Sequence, residues 1–359
     1  MTYVYAMTVL SALGGALTVL LLIANRYLAD YGPCKIAIND EEPFVVEGGR
    51  TLLDELYGKK VFIPSACGGQ CTCGFCKVAV REGGGPVLPT ELPYLTKDEI
   101  ADDIRLACQI KVKGDLLIHV RPEFLHVQEF RATVVAAQLA THDTRSLTLK
   151  LIEPASIEFR PGQYVQVQVP RAGEPAFRAY SICSPPSRKN EIELLVRIIP
   201  GGLCSTYLHM VEVGDEITFT GPYGEFVLDD EAELICVGGG CGLAPMRSLL
   251  RHVREVSPGR KCWLFYGARS DDDVMYLDEF QQLADEMPGL NVHYALSEPG
   301  RRSAWDGETG FIHESVAEHL STMGRRQAFL CGPPKMIEAT MKVLEEKRLS
   351  KDCIFYDEF

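Results

Sequence analysis

Four cysteines within ten residues constrain this chain more than any other feature of its sequence. They are interspersed with glycines in the run CGGQCTCGFC, and a further cysteine follows in RLACQ. A C-x5-C-x2-C spacing with a distant fourth thiolate suits a [2Fe–2S] cluster, because glycines let the backbone curl so that amides point at the sulfurs. The cysteines that fit this spacing are Cys67, Cys73, Cys76 and Cys108. The sequence therefore predicts a cluster loop in an electron carrier.

Two other kinds of cysteine site compete with this interpretation. Four-cysteine zinc sites use short C-x2-4-C pairs, but among the four assigned cysteines Cys73 and Cys76 form the single such pair, and Cys108 stands alone. A disulfide framework is unexpected in a long chain that nothing marks as secreted. We favour the iron–sulfur site, and the sequence leaves open whether Cys71 is a bystander or an alternate ligand.

Length and charge restrict the remaining possibilities. A chain of 359 residues is expected to form about two or three domains. The net charge of −13 argues against a nucleic-acid partner. Acidic residues crowd just before the fourth cluster cysteine, either as a solvated helix face or as a docking patch for a basic electron-transfer partner. They are Asp98, Glu99, Asp102 and Asp103.

The N-terminus is apolar and predicts a membrane anchor. Tyr3 to Ala24 carries no charged side chain and would extend roughly 33 Å as a helix, enough for a bilayer core. A signal peptide is the main alternative, but no basic residue precedes the run and the run is long for one. Arg26 and Lys35 follow it, which favours a cytoplasmic location for the rest of the chain.

Beyond the predicted anchor (residues 1–27), the hydrophobic patterns divide the chain into three units. The first, residues 28–127, is a compact β-rich unit with a helix from Thr51 to Tyr57 and strands that include Ile110 and Val112. The second, residues 128–230, has short strands separated by turns and predicts an antiparallel barrel. The third, residues 231–359, alternates strands and helices and predicts a parallel sheet with helices on both faces.

Two glycine-rich turns in the third unit predict a nucleotide site. The run GGGCG, from Gly238 to Gly242, follows a strand and precedes a helix, so that its backbone can approach a pyrophosphate. Cys331 opens the run CGPP at the end of a later strand, where its thiol could lie beside a nicotinamide or be a small buried side chain. Phe359 ends the chain and either shields a flavin face or belongs to a frayed tail.

Three segments of the second unit suit a flavin nucleotide. RAYS presents Arg178 to a pyrophosphate, Tyr180 to a ring system and the Ser181 hydroxyl to a ring nitrogen. GGLCSTYL places glycines and hydroxyls before a helical turn, which suits phosphate oxygens. GPYGEF is a rigid turn at the end of a strand. Each segment alone is a weak signal, because a strand tyrosine more often packs in a core.

In this order, RAYS, GGLCSTYL, GPYGEF, GGGCGLAPMRS, YGARS and CGPP resemble the ferredoxin–NADP reductase superfamily. With the upstream cluster loop, GGGPVLPTEL, RLACQ and GETGFIHE, the chain resembles the family of F subunits of Na+-translocating NADH:quinone oxidoreductases. That resemblance implies one N-terminal transmembrane helix, a β-grasp-like [2Fe–2S] ferredoxin domain, a FAD-binding barrel and an α/β NADH-binding domain. It also implies a bacterial inner-membrane location with integral membrane subunits as partners.

The resemblance implies a role for each motif. The four cluster cysteines ligate the metal, while Ser181, Cys331 and Phe359 stand at the catalytic centre. The residues implied to hold FAD are Arg178, Tyr180, Ser181, Gly202, Ser205, Thr206, Tyr223 and Phe359. Those implied to contact NADH are Gly238, Gly239, Gly240, Gly242, Arg269, Cys331, Gly332 and Pro333. The implied activity is hydride transfer from NADH to FAD, followed by single-electron transfer through the cluster to a membrane-bound acceptor.

Two departures leave the pathway open. Family members carry a long insertion before RAYS, where Pro170 to Phe177 is short here, and Cys71 stands where they usually have glycine. The chain therefore fits a respiratory quinone reductase, with an oxygenase reductase or a membrane-anchored redox sensor as alternatives. The acidic run Asp271 to Asp273 would repel a 2′-phosphate and favours NADH, although the neighbouring Arg269 and Ser270 could bind that phosphate.

Overall fold

We analysed the protein as a computed structural model. It describes residues 5, 7, 10–20, 31–39, 41–170, 176–224, 228–229, 232–300, 303–321 and 324–358. Contacts between Cα atoms divide the chain into two compact units, Met1–Val127 and Gln128–Phe359. Residues 10–20 are helical and exposed. Over the described ranges, no helix is both long and apolar enough to cross a membrane, and the predicted span from Tyr3 to Ala24 extends outside them.

The first unit is built on a mixed five-stranded sheet. Its strands are β1 (Pro33–Ile38), β2 (Phe44–Glu47), β3 (Lys77–Glu82), β4 (Ile104–Leu106) and β5 (Leu116–His119). They are arranged in the order β2-β1-β5-β3-β4, with only the β1–β5 pair parallel. The helices are α1 (Leu52–Gly58), α2 (Lys97–Ala101) and α3 (Pro122–Leu125). A mixed sheet covered by helices agrees with the expected β-grasp-like unit.

The helix expected from Thr51 is present, and Thr51 caps it. The Asp54 amide donates to the Thr51 hydroxyl at 3.2 Å, while Leu52 and Leu56 are buried in the core. The predicted strand through Ile110 and Val112 is wrong, because this segment makes only an isolated bridge, between Thr51 and Lys111. Both apolar side chains are nevertheless buried, so the pattern reported burial and not strand pairing.

The second unit begins with a six-stranded antiparallel sheet. Its strands are β6 (Gln128–Leu139), β7 (Thr144–Glu153), β8 (Tyr164–Val169), β9 (Ala176–Ser181), β10 (Glu191–Arg197) and β11 (Glu216–Tyr223). They follow the order β10-β7-β6-β11-β8-β9, and a bridge between Ile182 and Leu194 links the two ends. The expected barrel is therefore confirmed. Helix α4 (Leu203–Met210) packs on β8, β9 and β10.

A parallel six-stranded sheet completes this unit. Its strands are β12 (Glu233–Gly239), β13 (Cys262–Ala268), β14 (Leu290–Leu296), β15 (Glu308–Thr309), β16 (Arg326–Gly332) and β17 (Ile354–Glu358), and its order is β15-β14-β13-β12-β16-β17. Chain direction across the sheet reverses at β12, and ligands of such sheets bind beyond the carboxyl ends of the strands at that point. GGGCG begins with the last two residues of β12 and CGPP with the last two residues of β16, so the fold brings the two predicted glycine runs together.

Helices cover both faces of this parallel sheet, as expected. They are α5 (Leu243–Val256), α6 (Leu277–Glu286), α7 (Ile312–His319) and α8 (Pro334–Glu346). One core packs Leu249 and Phe280 from α5 and α6, and the other packs Val316 and Leu344 from α7 and α8. The chain end was open to interpretation as a frayed tail, but through Glu358 it forms β17, paired in parallel with β16.

Candidate functional site

The cysteine loop of the first unit takes its shape from left-handed backbone positions. Gly68, Gly69, Gly74 and also Cys71 have positive φ, at 65°, 83°, 70° and 56° respectively. Glycine adopts such angles at no steric cost, whereas a side chain at Cys71 is unusual. The Ser65 hydroxyl accepts a hydrogen bond from the Gly69 amide at 2.9 Å, which fixes the start of the turn.

The four cysteines predicted as ligands converge as two thiol pairs. Cys67 and Cys73 have sulfurs 3.4 Å apart, and Cys76 likewise interacts with Cys108. A hydrogen bond from Cys73 lowers the pKa of Cys67 to about 4, and one from Cys76 lowers the pKa of Cys108 to about 7. The pKa values of Cys73 and Cys76 are raised by the same interactions and by burial. Four sulfurs that compete for protons in this way are suited to bind metal as thiolates.

Backbone amides surround these sulfurs as an iron–sulfur cluster requires. The amides of Thr72 and Cys73 interact with the Cys67 sulfur, and the Cys71 amide interacts with Cys108. The Gln109 side-chain amide lies 3.7 Å from the Cys108 sulfur. Amides directed at ligand sulfurs tune and stabilise such clusters, so the residues present fit a [2Fe–2S] group.

The fifth cysteine of this region contributes its main chain to the pocket. The Cys71 sulfur faces the carbonyl oxygen of Thr90 at 3.4 Å. Burial, with the neighbouring Cys108, raises the pKa of the Cys71 thiol to about 11. Both the amide and the thiol of Cys71 contact Cys108, while its thiol also faces the Thr90 carbonyl.

A buried ion pair that sequence reasoning missed holds the segment before Cys108. Arg105 donates from Nη2 to a Glu91 carboxylate oxygen at 2.6 Å and from Nη1 to the carbonyls of Gly84 and Gly85 at 2.9 Å. The side chains of Arg105 and Glu91 are 5% and 0% exposed. Burial alone would raise the pKa of Glu91, but hydrogen bonds from Arg105 and two backbone amides lower it. Both residues lie in motifs of the family resemblance, GGGPVLPTEL and RLACQ, which was the only available signal.

Replacing this carboxylate should destabilise the first unit. We expect Glu91→Gln to cost about 3 kcal/mol, because it leaves the Arg105 charge buried without its partner. Since the folded-state pKa of Glu91 is depressed, its stabilisation is present above a pH of about 4.3 and is lost as pH falls through the folded-state value. Denaturant unfolding across this pH range measures both effects. Glu82→Gln, at an exposed strand end, is the control; equal stability of the two variants would contradict the assignment.

The FAD motif RAYS lies on β9, at the end of the barrel sheet. Arg178, Tyr180 and Ser181 are all half-buried. Burial raises the pKa of Tyr180 far above its ordinary value, whereas the nearby Arg178 guanidinium lowers it. The Arg178 charge also acts on Cys204 in the first turn of α4. The structure thus brings the predicted arginine and the start of α4 together.

The start of α4 suits an anion. Gly202 is its N-cap residue and, within the described part of the chain, no side chain caps the helix, so its first amides are available to a phosphate. A Cβ on Gly202 would lie 2.6 Å from the Ser205 hydroxyl. That hydroxyl is buried and accepts a hydrogen bond from the Ile199 amide at 3.1 Å. The neighbouring Thr206 is exposed. Glycine and helix terminus therefore fit the expected phosphate site more directly than Ser205 does.

Tyr223 is the last residue of β11. It is 2% exposed, stacks on Tyr164 with ring centroids 5.5 Å apart, and donates from its hydroxyl to Thr220 at 2.8 Å. These contacts hold its buried side chain against Tyr164 of β8, the strand that pairs with β9. Phe359, predicted to cover the flavin, is outside the described residues.

The two glycine turns of the parallel sheet approach each other with no room for side chains. A Cβ on Gly242 would lie 1.9 Å from the Cys331 carbonyl oxygen, and a Cβ on Gly332 would lie 3.2 Å from the backbone nitrogen of Gly239. Gly238 pairs with Cys331 across the sheet, and the Cys331 thiol is buried, which raises its pKa well above the ordinary range. The turns are therefore built for close backbone contact, as a pyrophosphate site requires.

A cavity of about 420 Å³ opens beside these turns. Of the residues predicted to contact NADH, those that line it are Gly239, Gly240, Arg269 and Pro333. Residues that the sequence did not point to also line it, including Thr141, Asp143, Thr144 and Arg197 from the barrel. Arg197 is held by Asp143 at 2.7 Å. Such a cavity at the reversal point of an α/β sheet suits a nucleotide.

The acidic run after YGARS forms a single 3-10 turn at the rim of this cavity. Asp273 lines the cavity and accepts from the Ser270 amide and hydroxyl at 3.0 and 2.8 Å, whereas Asp271 and Asp272 are exposed. Arg269, the residue that would favour a 2′-phosphate, pairs with Glu298 at 3.2 Å. The local charges thus favour a dinucleotide without that phosphate.

Comparisons with known proteins bear on these sites. Residues 36–113 match the 2Fe-2S iron-sulfur cluster binding domain, residues 131–228 the oxidoreductase FAD-binding domain and residues 236–342 the oxidoreductase NAD-binding domain. The F subunit of the Na(+)-translocating NADH-quinone reductase of Neisseria gonorrhoeae is 35% identical, and the match covers 96% of each chain. That of Actinobacillus succinogenes is 33% identical over 99% of this chain and 98% of its own. The chain belongs to this family of F subunits.

The chain is also similar to reductases of known structure. The Amycolatopsis cytochrome P450 reductase GcoB is 30% identical with a TM-score of 0.73, and the match covers 91% of this chain and 98% of its own. A ferredoxin reductase in carbazole 1,9a-dioxygenase is 27% identical with a TM-score of 0.69 over the same shares. The F subunits of the quinone reductases match almost the whole chain, including the region that precedes the cluster unit.

Membership of this family confirms the expected chemistry. The chain is an NADH-dependent oxidoreductase, an iron–sulfur flavoprotein whose cofactors are FAD, NADH and a [2Fe–2S] cluster. Bound FAD accepts a hydride and releases electrons singly, which is the conversion needed between a two-electron donor and a one-electron carrier. The three family models coincide with the cluster loop, the barrel and the parallel sheet described above.

Proposed function

We propose that this chain oxidises NADH and delivers the electrons to a quinone-reducing, Na+-translocating membrane complex, as the names of its relatives indicate for them. Its partners would be integral membrane subunits of that complex. The observation that carries the proposal is full-length similarity to the F subunits combined with a converged set of four cluster cysteines. The reductase chemistry itself follows from the three domains.

We propose the following layout for the chain. Residues 1–27 form a single-pass anchor in a bacterial inner membrane, and the rest lies on the cytoplasmic side. Residues 28–127 hold the cluster, residues 128–230 hold FAD and residues 231–359 hold NADH. The apolar stretch from Tyr3 to Ala24 supports the anchor, and deletion of residues 1–27 should release the protein from membranes washed with high salt.

We propose that the site residues act as their motifs suggest. The cluster is held by Cys67, Cys73, Cys76 and Cys108. The Arg178 side chain and the start of α4 hold the FAD phosphates, while Tyr180 and Ser181 face the flavin. Gly239 and Gly240 receive the NADH pyrophosphate, Cys331 faces the nicotinamide, and Phe359 covers the flavin ring. The geometry of β9, α4 and the two glycine turns supports these roles.

The natural partner is tested by affinity purification from native membranes in mild detergent, with identification of the co-purifying chains. Polytopic subunits of a quinone reductase, with NADH:quinone activity that depends on Na+, are the expected result. A hydroxylase or oxygenase component as the only redox partner would contradict the proposal. It would favour the second candidate, an oxygenase reductase, which the likeness to GcoB and to the carbazole dioxygenase reductase supports.

The acidic turn offers a test of dinucleotide preference. Changing Asp271, Asp272 and Asp273 together to asparagine should raise the NADPH-to-NADH ratio of kcat/KM about tenfold, because it removes charges that repel a 2′-phosphate. Asparagine preserves the shape that caps Ser270. Steady-state kinetics with both dinucleotides measure the ratio, and Asp278→Asn, on α6, is the control. An unchanged ratio would remove this turn as the source of preference.

A further inference from the structure

Two histidines and a glutamate meet at the outer edge of the parallel sheet, in a cluster that the reductase reaction does not use. His293 lies on β14, Glu308 on β15, and His319 is the last residue of α7. One Glu308 carboxylate oxygen lies 2.8 Å from Nδ1 of His293 and 3.2 Å from Nε2 of His319. One candidate ligand atom from each residue lies within 4.8 Å of the others.

We propose that His293, Glu308 and His319 bind a divalent metal ion, and that Zn2+ fits this donor set best. Two imidazoles and one carboxylate are a common zinc ligand set, with metal–ligand distances of about 2.0–2.2 Å. Donors on a tetrahedral ion at those distances lie about 3.3–3.6 Å apart. The observed separations of 2.8 and 3.2 Å need only small outward movements to admit the ion.

The surroundings hold the imidazoles in place. The His293 ring stacks on Phe265 and Trp263, with centroid distances of 5.1 and 5.9 Å, and its other neighbour is the His319 ring at 3.9 Å. Only 17% of the His293 side chain is exposed. Rings fixed by packing lose little conformational freedom on binding a metal.

A polar cavity lies beside one of the three proposed ligands, Glu308. Its volume is about 330 Å³, and Ser315, Glu314 and Glu318 also line it, so that further carboxylates near Glu308 attract cations. Ser315 Oγ is buried and, among the described residues, has no hydrogen-bond partner of normal geometry.

An ion at this site would link three secondary-structure elements, β14, β15 and α7. It would tie β14 to the start and the end of the segment from β15 through α7. Phe311 and His313 of this segment line the 420 Å³ cavity proposed for NADH. The inferred role is structural: the metal would hold this wall of the cavity in place. Metal binding itself does not depend on the proposed function.

The test is metal binding to full-length, cluster-loaded protein in detergent, with Zn2+ competed against a chromophoric chelator and Co2+ followed by its visible spectrum. We expect one equivalent of either ion, a Co2+ spectrum without thiolate charge-transfer bands, and a higher melting temperature with Zn2+. His319→Ala and the shape-preserving Glu308→Gln should weaken binding at least about tenfold. His126→Ala, exposed in the first unit, is the matched control.

Three results would overturn the proposal. They are the absence of stoichiometric binding, binding that persists unchanged in both variants, and a thiolate band that assigns the ion to cysteines. In each case the three side chains would form a hydrogen-bonded cluster only. Because Glu308→Gln retains hydrogen-bonding capacity to both histidines, a folded variant with intact cluster absorption separates metal binding from a general loss of structure. NADH oxidation is not a readout, so failure of the proposed function would not affect the outcome.

Discussion

A Cys108→Ala substitution should abolish the iron and acid-labile sulfide of the purified protein, whereas Cys71→Gly should leave both unchanged. Cys108 is buried and its sulfur interacts with Cys76, Gln109 and the Cys71 amide, so its removal takes away one of four converging thiolates. The Cys71 thiol lies 3.4 Å from the Thr90 carbonyl oxygen and also contacts the Cys108 side chain, and the four other cysteines already supply a complete ligand set. Glycine keeps that amide and accepts the φ of 56°.

This pair of variants is matched because both remove a single thiol from the same site. Iron and sulfide analysis with cluster absorption measures incorporation. NADH oxidation by an acceptor that takes electrons directly from flavin should stay within about twofold in Cys108→Ala, because the cluster belongs to a separate compact unit. Loss of the cluster in Cys71→Gly, or its retention in Cys108→Ala, would show that Cys71 is a ligand.

A Gly242→Ala substitution should weaken NADH binding at least about tenfold while FAD content stays normal. Its Cβ would lie 1.9 Å from the Cys331 carbonyl oxygen and 2.4 Å from its carbon, both backbone atoms that cannot rotate away. To avoid this clash, the turn at the end of β12 must move away from the turn at the end of β16. We expect this movement to cost about 3 kcal/mol or more of stability. The barrel, which holds the flavin motifs, does not contain either turn.

Titration of flavin reduction with NADH, together with the flavin-to-protein ratio, measures this effect. Gly259→Ala is the control, because a Cβ there meets no atom within 4 Å. Normal NADH affinity in Gly242→Ala would contradict the role of the turn. A loss of FAD in parallel would show instead that the substitution disturbs the whole second unit.

Local patterns allowed much of the fold and the cluster loop to be predicted. Alternating apolar residues predict strands, and capping residues such as Thr51 predict where a helix begins. The cluster loop was predictable because its cysteines and glycines all lie within ten residues. The single bridge at Lys111 shows the limit, since apolar residues there mark burial without strand pairing. The tail from Ile354 is the opposite case, because its strand pairing depends on β16.

Contacts between distant residues could not be predicted from the sequence. The Glu91–Arg105 ion pair spans 14 residues with no periodic signal, and Thr141, Asp143 and Arg197 reach the nucleotide cavity only when the barrel packs beside the parallel sheet. A local motif also does not show whether a polar side chain already has a hydrogen-bond partner within the protein. The Ser205 hydroxyl, for example, is occupied by the Ile199 amide.

The central claim is that electrons pass from NADH through FAD to the [2Fe–2S] cluster, and anaerobic reduction of the full-length holoenzyme by NADH tests it most directly. Flavin absorbance and the electron paramagnetic resonance signal of the reduced cluster would be followed in the same sample. We expect flavin bleaching followed by a reduced-cluster signal, with the signal absent in Cys108→Ala. Flavin reduction in wild-type protein with a cluster that stays oxidised, or a cluster reduced without the flavin, would contradict the account.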